Sequence, residues 1–216
     1  MTDVAVIGGG IAGCATAAFL AEAGAAVTLY EREAIAAGAV VVAAGPWTPA
    51  AVGAGPEWRP VIALWGVVAQ VRLAAPPRHT VEQAGVKSLT EPGGGPAALF
   101  SVVTANGASA VGSTFTPGEP DAAAIAPQLL ARGARYVPAL SGATIESVRA
   151  CARPRSADGR PLLGPVEGIE GLHLVTGHGA WGISLGPGSA RLVADGVVGG
   201  PVRIPPELAA ARFGEP

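Results

Sequence analysis

The sequence predicts an α/β fold in which a mainly antiparallel β region is inserted between two parts of a parallel α/β domain. A short apolar run, a helical stretch and a second apolar run follow one another within residues 4–30. Longer, β-branched runs with partial alternation occupy residues 61–148. The end of the chain returns to a strand followed by a helix. We therefore expect domain boundaries that divide the chain into residues 1–58, 59–149 and 150–216.

The first part has the pattern of a strand, a helix and a strand. Residues 4–7 form an apolar run that ends at glycines, as in a strand buried on both faces. Residues 11–23 are rich in alanine and end at Gly24, which predicts a helix with a glycine at its end. Residues 26–30 predict a second buried strand. A further apolar run at residues 40–44 predicts a third strand.

The middle and last parts are predicted from the same kinds of signal. Asn106-Gly107 is the strongest hairpin signal, and Gly93-Gly94-Gly95 predicts another turn. Residues 121–132 predict a helix that Pro127 kinks. The remaining predicted elements are strands at residues 61–73, 98–104, 110–115, 143–149 and 172–176 and a helix at residues 183–198.

Composition excludes several classes of function. The 216 residues carry a formal net charge of −2 with only 14% charged residues, so neither nucleic acid nor an acidic membrane is an expected partner. The long uncharged stretches are interrupted by Pro, Gly and polar residues, which argues against a membrane span. Two distant cysteines and three histidines predict no metal site. The N-terminus has no basic segment of a secretory signal, so we expect a cytoplasmic protein.

The glycine-rich segment after the first strand is the strongest motif. Gly8-Gly9-Gly10-Ile11-Ala12-Gly13 matches G-x-G-x-x-G between a strand and a helix, the context of a Rossmann-like dinucleotide site. The helix N-terminus would face the pyrophosphate, and Glu31 has the spacing of the acid that holds a ribose hydroxyl. The alternative is a purely structural turn between strand and helix.

A second glycine-rich turn occupies residues 176–184, between the last strand and the last helix. Its helix N-terminus would stabilise negative charge on a reduced flavin, which favours FAD over NAD. The alternative is a glycine-rich helix cap with a buried Trp181.

Three blocks of sequence, residues 8–32, 40–48 and 151–194, resemble the FAD-dependent amino-acid oxidase superfamily, which includes glycine oxidase, D-amino-acid oxidase and sarcosine oxidase. Residues 153–164, RPRSADGRPLLG, are similar to its R-P-x-[ST]-x-D-G-x-P-x-x-G stretch. The resemblance implies a Rossmann-like FAD-binding domain with an inserted β domain of the substrate-binding type. It also implies oxidation of an amino acid or secondary amine to an imine by hydride transfer to flavin.

Two residues are expected to be catalytic, the first of them from the resemblance. Arg153 corresponds to the arginine that binds the substrate carboxylate, and the alternative is a structural ion pair with Asp158 or Glu167. His178 would lie over the flavin or polarise it, and the alternative is a histidine that caps the turn. The expected cofactor-binding residues are Gly8, Gly10, Ile11, Ala12, Gly13, Glu31, Arg32, Ala44, Gly45, Trp47, Gly179, Trp181, Gly182, Ile183 and Ser184.

The two cysteines have different interpretations. Cys151 aligns with a residue that carries flavin covalently in sarcosine-oxidase-like relatives, but the residues after it resemble the non-covalent branch, so we expect a flavin released by denaturation. Cys14, inside the first predicted helix, has an expected structural role.

The chain differs from the family after the second strand. Only nine residues, 31–39, reach the third strand, whereas a parallel crossover needs a dozen or more. Either these strands are not parallel neighbours, or a large segment has been lost. We expect an open site, weak or absent oxidase activity, and self-association or a partner subunit that covers exposed strands. The alternatives are a small FAD-binding or assembly subunit and, more remotely, an NAD-linked enzyme.

Overall fold

The computed structural model of the chain describes residues 2–31, 37–84, 97–201 and 203–216. Its strands are β1 (Asp3–Ile7), β2 (Ala26–Tyr30), β3 (Ala39–Val42), β4 (Val61–Val71), β5 (Val81–Glu82), β6 (Ala97–Ala105), β7 (Ala108–Phe115), β8 (Ile145–Ser156), β9 (Leu162–Pro165) and β10 (Leu172–Thr176). Its α-helices are α1 (Ile11–Glu22), α2 (Thr48–Ala51), α3 (Ala122–Gly133) and α4 (Gly182–Val197). No helix within these ranges combines the length and apolar character needed to cross a bilayer.

Contacts divide the chain into two compact units. The split unit consists of Met1–Ala63 and Arg153–Pro216, and the inserted unit consists of Leu64–Ala152. The split unit has a mixed sheet and the inserted unit has most of a second sheet, so the α/β fold with a mainly antiparallel insertion is confirmed. Assignment of the two units to cofactor and substrate stays a prediction.

The sheet of the split unit has the strand order β2-β1-β3-β10-β9. The first four strands are parallel, and β9 is antiparallel to β10. Helices α1 and α4 pack against each other and against this sheet, in a core that includes Val4, Val6, Leu20, Val41, Leu163, Val175 and Val193. The continuous apolar run of β1 fits this position, because a parallel strand in the middle of a sheet has no face toward water.

Strand β2 differs from its prediction. The sequence predicted a buried strand, but Thr28 is exposed and Leu29 retains 41% of its accessible surface. The prediction was wrong because β2 is an edge strand, with β1 as its neighbour on one side. Strands β2 and β3 pair with opposite sides of β1 and are therefore not neighbours. This agrees with the first alternative for their nine-residue connection, that the two strands are not parallel neighbours.

The sheet of the inserted unit has the order β5-β6-β7-β4-β8. The pairs β5–β6, β6–β7 and β4–β7 are antiparallel. Asn106 and Gly107 both have positive φ, 51° and 76°, and join β6 to β7. These φ angles are typical of the tight hairpin turn that the Asn-Gly sequence predicted. The predicted turn at Gly93-Gly94-Gly95 lies outside the described residues.

Helix α3 covers the core of the inserted unit. Asp121 begins it as predicted, because its carboxylate accepts hydrogen bonds from the backbone N–H groups of Ala123 and Ala124. Pro127 lies within the helix, which continues to Gly133. The buried face of the helix contributes Leu129 and Leu130 to a core that also contains Phe100, Val111 and Leu140.

Candidate functional site

The predicted cofactor-binding residues gather at one edge of the sheet of the split unit. Strands β1, β2, β3 and β10 run in the same direction, so their carboxyl ends lie together. The glycine-rich segment follows β1, Glu31 follows β2, Ala44 to Trp47 follow β3, and the second glycine-rich turn follows β10. Ligands of open α/β sheets bind at this edge. Arg32 lies outside the described residues.

The first and third glycines of the motif are required by packing. A Cβ atom on Gly8, whose φ is +112°, would lie 2.6 Å from the carbonyl oxygen of Ala43. A Cβ atom on Gly13 would lie 1.9 Å from the carbonyl oxygen of Gly8 and 3.1 Å from the Cβ of Ala43. The first turn of α1 and the residue after β3 therefore come together only because these two positions have no side chain.

The second glycine of the motif has a different environment. A Cβ atom on Gly10 would meet no described atom within 4 Å, so the space beside this residue is open. Gly10 is the N-cap of α1, and no side chain of the described residues caps the helix. The N–H groups of the first helical turn, at Ile11, Ala12 and Gly13, are thus available to an anion at the positive end of the helix. These residues fit the pyrophosphate of a dinucleotide.

Glu31 extends from the end of β2 to the glycine-rich segment. Its Oε2 accepts a hydrogen bond from the backbone N–H of Gly9. This bond fixes an exposed carboxylate beside Gly10, where its acceptor oxygens can bind a ribose hydroxyl.

Thr176 joins the end of β10 to the segment after β3, and Thr48 closes the turn within that segment. The hydroxyls of Thr176 and Thr48 both donate to the carbonyl oxygen of Gly45, at 3.0 and 2.8 Å. Both threonines are buried. The bonds fix the segment that carries Ala44, Gly45 and Trp47 against the start of the second glycine-rich turn.

Large apolar side chains are exposed at the same edge. Trp47 is 62% exposed, Trp181 67% and Ile183 80%. The alternative of a helix cap with a buried Trp181 is therefore wrong. Gly179–Trp181 form a 3-10 turn that leads into α4, whose start, with Gly182, Ile183 and Ser184, has no side-chain cap among the described residues. An apolar surface beside free helix N–H groups suits a flat aromatic ring with polar edges.

His178 is buried in the turn after β10. It is 6% exposed, and its Nε2 has no hydrogen-bond partner among the described residues. Burial lowers the pKa of His178 because the charged imidazolium is poorly solvated there. The imidazole is therefore neutral at pH 7 and retains one unused hydrogen-bonding atom.

Arg153 lies on β8, at the start of the second segment of the split unit. Two residues later, the backbone of Arg155 pairs with the backbone of His178. Asp158 is one of the two carboxylates considered as structural partners of Arg153. Both of its carboxylate oxygens accept hydrogen bonds from Arg212, at 2.8 Å from Nε and 3.0 Å from Nη2.

Arg212 fixes the turn that follows β8. Besides Asp158, its guanidinium donates to the carbonyl oxygens of Arg160 and Ala209. Hydrogen bonds and charge attraction from Arg212, together with the backbone N–H of Arg160, lower the pKa of Asp158 to about 2. Arg212, in the C-terminal segment, thereby binds both the side chain and the backbone of the turn that follows β8.

Substitution of Arg212 by glutamine should destabilise the protein at neutral pH and have less effect in acid. Because the folded pKa of Asp158 lies below its ordinary value of 3.8, its contribution is present above that pH and disappears as the pH falls toward 2. Since Asp158 is partly exposed, we expect a difference of about 1 kcal/mol in the free energy of unfolding. Thermal unfolding at pH 6 and near pH 2 measures it.

The matched control for this prediction is Arg203→Gln, which removes the same charge from an exposed arginine with no ion-pair partner among the described residues. We expect little effect at either pH. An equal loss of stability at both pH values in Arg212→Gln would contradict the role of Asp158.

Sequence reasoning missed Ala43, Thr48, Thr176 and Arg212. Ala43 and Thr176 contact backbone atoms of distant segments, and Arg212 is 54 residues from Asp158 in the chain. No local pattern signals these distant contacts. Thr48 makes only a local bond, to Gly45 three residues earlier. Cys14 and Cys151 are both exposed, and the Sγ of Cys14 donates to the carbonyl oxygen of Gly9.

Comparison with known proteins places this arrangement among flavoproteins. Residues 3–40 and 34–196 match the DAO family, whose description is FAD dependent oxidoreductase. A 63-residue stretch is 46% identical to D-amino acid dehydrogenase of Rhizobium johnstonii and covers 29% of this chain and 15% of that protein. A 71-residue stretch is 42% identical to glycine oxidase of Pseudomonas putida and covers 33% and 20%.

Most of the chain is also similar to a solved structure. Glycine oxidase from Geobacillus kaustophilus superposes with a TM-score of 0.67 and 27% identity, over 87% of this chain and 54% of that one. The chain therefore spans about half the length of this relative.

Proposed function

Because this chain belongs to the DAO family of FAD-dependent oxidoreductases, we propose that its split unit binds FAD for the oxidation of an amino acid or secondary amine. The observation that carries the proposal is the uncapped start of α1 beside the open space at Gly10. The similarity to D-amino acid dehydrogenase and glycine oxidase supports a substrate with an amine beside a carboxylate.

In this proposal each strand end binds one part of the cofactor. The first turn of α1 binds the pyrophosphate, Glu31 binds a ribose hydroxyl, and the start of α4 lies against the flavin ring. Trp47, Trp181 and Ile183 exclude water from that ring. When bound, FAD supplies the acceptor for a hydride from the carbon that bears the amine, and the resulting imine hydrolyses in water.

Arg153 acts on the substrate, and His178 acts on the flavin. The guanidinium of Arg153 binds the substrate carboxylate, for which its planar pair of donors is suited. Burial lowers the pKa of His178 and favours its neutral form, so it adds no charge to the site. No protein acid or base is required, because an amine that has lost its proton transfers hydride directly.

In a preparation that turns over an amino acid, Arg153→Leu should raise KM by about tenfold or more, because a charge-assisted hydrogen bond contributes roughly 1.5 to 3 kcal/mol. FAD affinity should change little. Steady-state kinetics and a flavin fluorescence titration measure the two effects. Arg155→Leu, which removes an exposed arginine from the same strand, is the control. An unchanged KM in Arg153→Leu would contradict carboxylate binding and indicate a structural role for this residue.

The way in which the family matches the chain supports an alternative. The match consists of two segments, residues 3–40 and 34–196, that overlap at residues 34–40. In this alternative the chain is a small FAD-binding or assembly subunit, and a second copy or another protein completes the substrate site. An open site leaves water beside the flavin and loosens substrate orientation, so we expect a poor oxidase when the chain is alone.

An absorption spectrum of the purified protein, followed by anaerobic addition of a panel of amino acids and secondary amines, separates these functions. Flavin absorbance that bleaches with one class of amine supports an oxidoreductase and names its substrate. Flavin absorbance that no amine bleaches supports the binding subunit. Tight binding of NAD without affinity for FAD would contradict both.

A further inference from the structure

The inserted unit contains a cleft that the proposed function does not use. It has a volume of about 480 Å³ and is lined by Gln83, Gln128, Ala131, Arg132, Arg135 and Tyr136. This volume is within the range of small-molecule sites in proteins. All six residues belong to the inserted unit, whereas every predicted cofactor residue belongs to the split unit.

The cleft carries two positive charges that no described carboxylate offsets. Arg132 donates from Nη2 to Oε1 of Gln83, at 2.8 Å, so its partner is a neutral amide. Arg135 has no side-chain hydrogen bond or ion pair within the described residues. The whole stretch of residues 122–145 contains both arginines and no acidic residue. Two guanidinium groups three residues apart repel each other, and a bound anion would offset this unfavourable electrostatic energy.

Contacts among the described residues orient several side chains of the cleft, although not that of Arg135. Because Oε1 of Gln83 accepts from Arg132, its amide N–H groups are directed away from that bond. Gln128 donates from Nε2 to the carbonyl oxygen of Ala124, which leaves its Oε1 as an acceptor. The Tyr136 ring stacks on Phe100, with centroids 5.1 Å apart. These contacts preorganise the part of the site that contains Arg132 and Gln83.

We propose that this cleft binds a small organic anion with at least two acidic groups, carboxylate or phosphate, through Arg132, Arg135 and the amide of Gln83. Two guanidiniums suit two anionic groups, each of which can accept paired hydrogen bonds. The proposal does not depend on FAD binding or on amine oxidation.

Isothermal titration of the full chain with citrate and, separately, with fructose 1,6-bisphosphate, which carries two phosphate groups, tests the site at constant ionic strength. We expect saturable binding of at least one probe below about 10 mM, and the better probe identifies the acidic group. Arg135→Gln, at an exposed position, should weaken binding about tenfold or more. Arg132→Gln should act similarly, and unfolding curves without ligand establish that both variants are folded.

Arg149→Gln is the matched control, because it removes one exposed arginine from the same unit outside the cleft. It should leave binding within about twofold of the original chain. Absence of saturable binding for both probes would overturn the proposal. Equal weakening by Arg149→Gln and Arg135→Gln would also overturn it, because the anions would then respond to net charge alone.

Discussion

Alanine at Gly13 is expected to destabilise the split unit by about 3 kcal/mol or more. The new methyl group would lie 1.9 Å from the carbonyl oxygen of Gly8, and backbone atoms cannot move aside as a flexible side chain can. To relieve this contact, α1 would have to shift away from the turn after β1 and from Ala43. Chemical unfolding followed by circular dichroism measures the loss.

Gly188→Ala is the matched control for this prediction. Gly188 lies in α4, and a Cβ atom there would meet no described atom within 4 Å. Alanine should stabilise this helix by about 0.5 to 1 kcal/mol, since glycine loses more backbone freedom on folding. If Gly13→Ala unfolded at the same denaturant concentration as Gly188→Ala, the packing of the glycine-rich segment would be wrong.

Leucine at Gly10 is expected to leave the protein folded and to abolish FAD binding at ordinary concentrations. The backbone of Gly10, with φ −71° and ψ 177°, is allowed for any residue, and the space beside it is open. The leucine side chain would fill that space and keep the pyrophosphate from the N–H groups of α1. Loss of two charge-assisted hydrogen bonds corresponds to about a hundredfold weaker binding or more.

A titration of FAD fluorescence measures this effect, with Gly188→Leu as the control that adds the same side chain to an exposed position of α4. We expect Gly188→Leu to bind FAD as the original chain does. Unchanged FAD affinity in Gly10→Leu would contradict the assignment of this helix start to the pyrophosphate. Together, Gly13→Ala and Gly10→Leu distinguish the structural role of the motif, measured by stability, from its functional role, measured by FAD affinity.

Much of the geometry of the candidate site could be predicted because its signals are local. The glycine spacing after β1 and the distance to Glu31 depend on one strand, one helix and one turn, so the sequence carries them directly. The same holds for the second glycine-rich turn before α4. The binding of Glu31 to Gly9 could not be predicted, because it depends on the pairing of β2 with β1.

The sequence by itself determined the type and order of most elements, since hydrophobic period, helix caps and turn residues act over a few positions. Tertiary structure alone decided that β2 is a half-exposed edge strand, that Trp181 is exposed, and that Arg212 binds Asp158 across 54 residues. It also decided that Ala43 packs against both Gly8 and Gly13. These features depend on which distant segments become neighbours in the fold. Strand order and helix packing determine those neighbours, because the periodicity of one segment does not specify its partner.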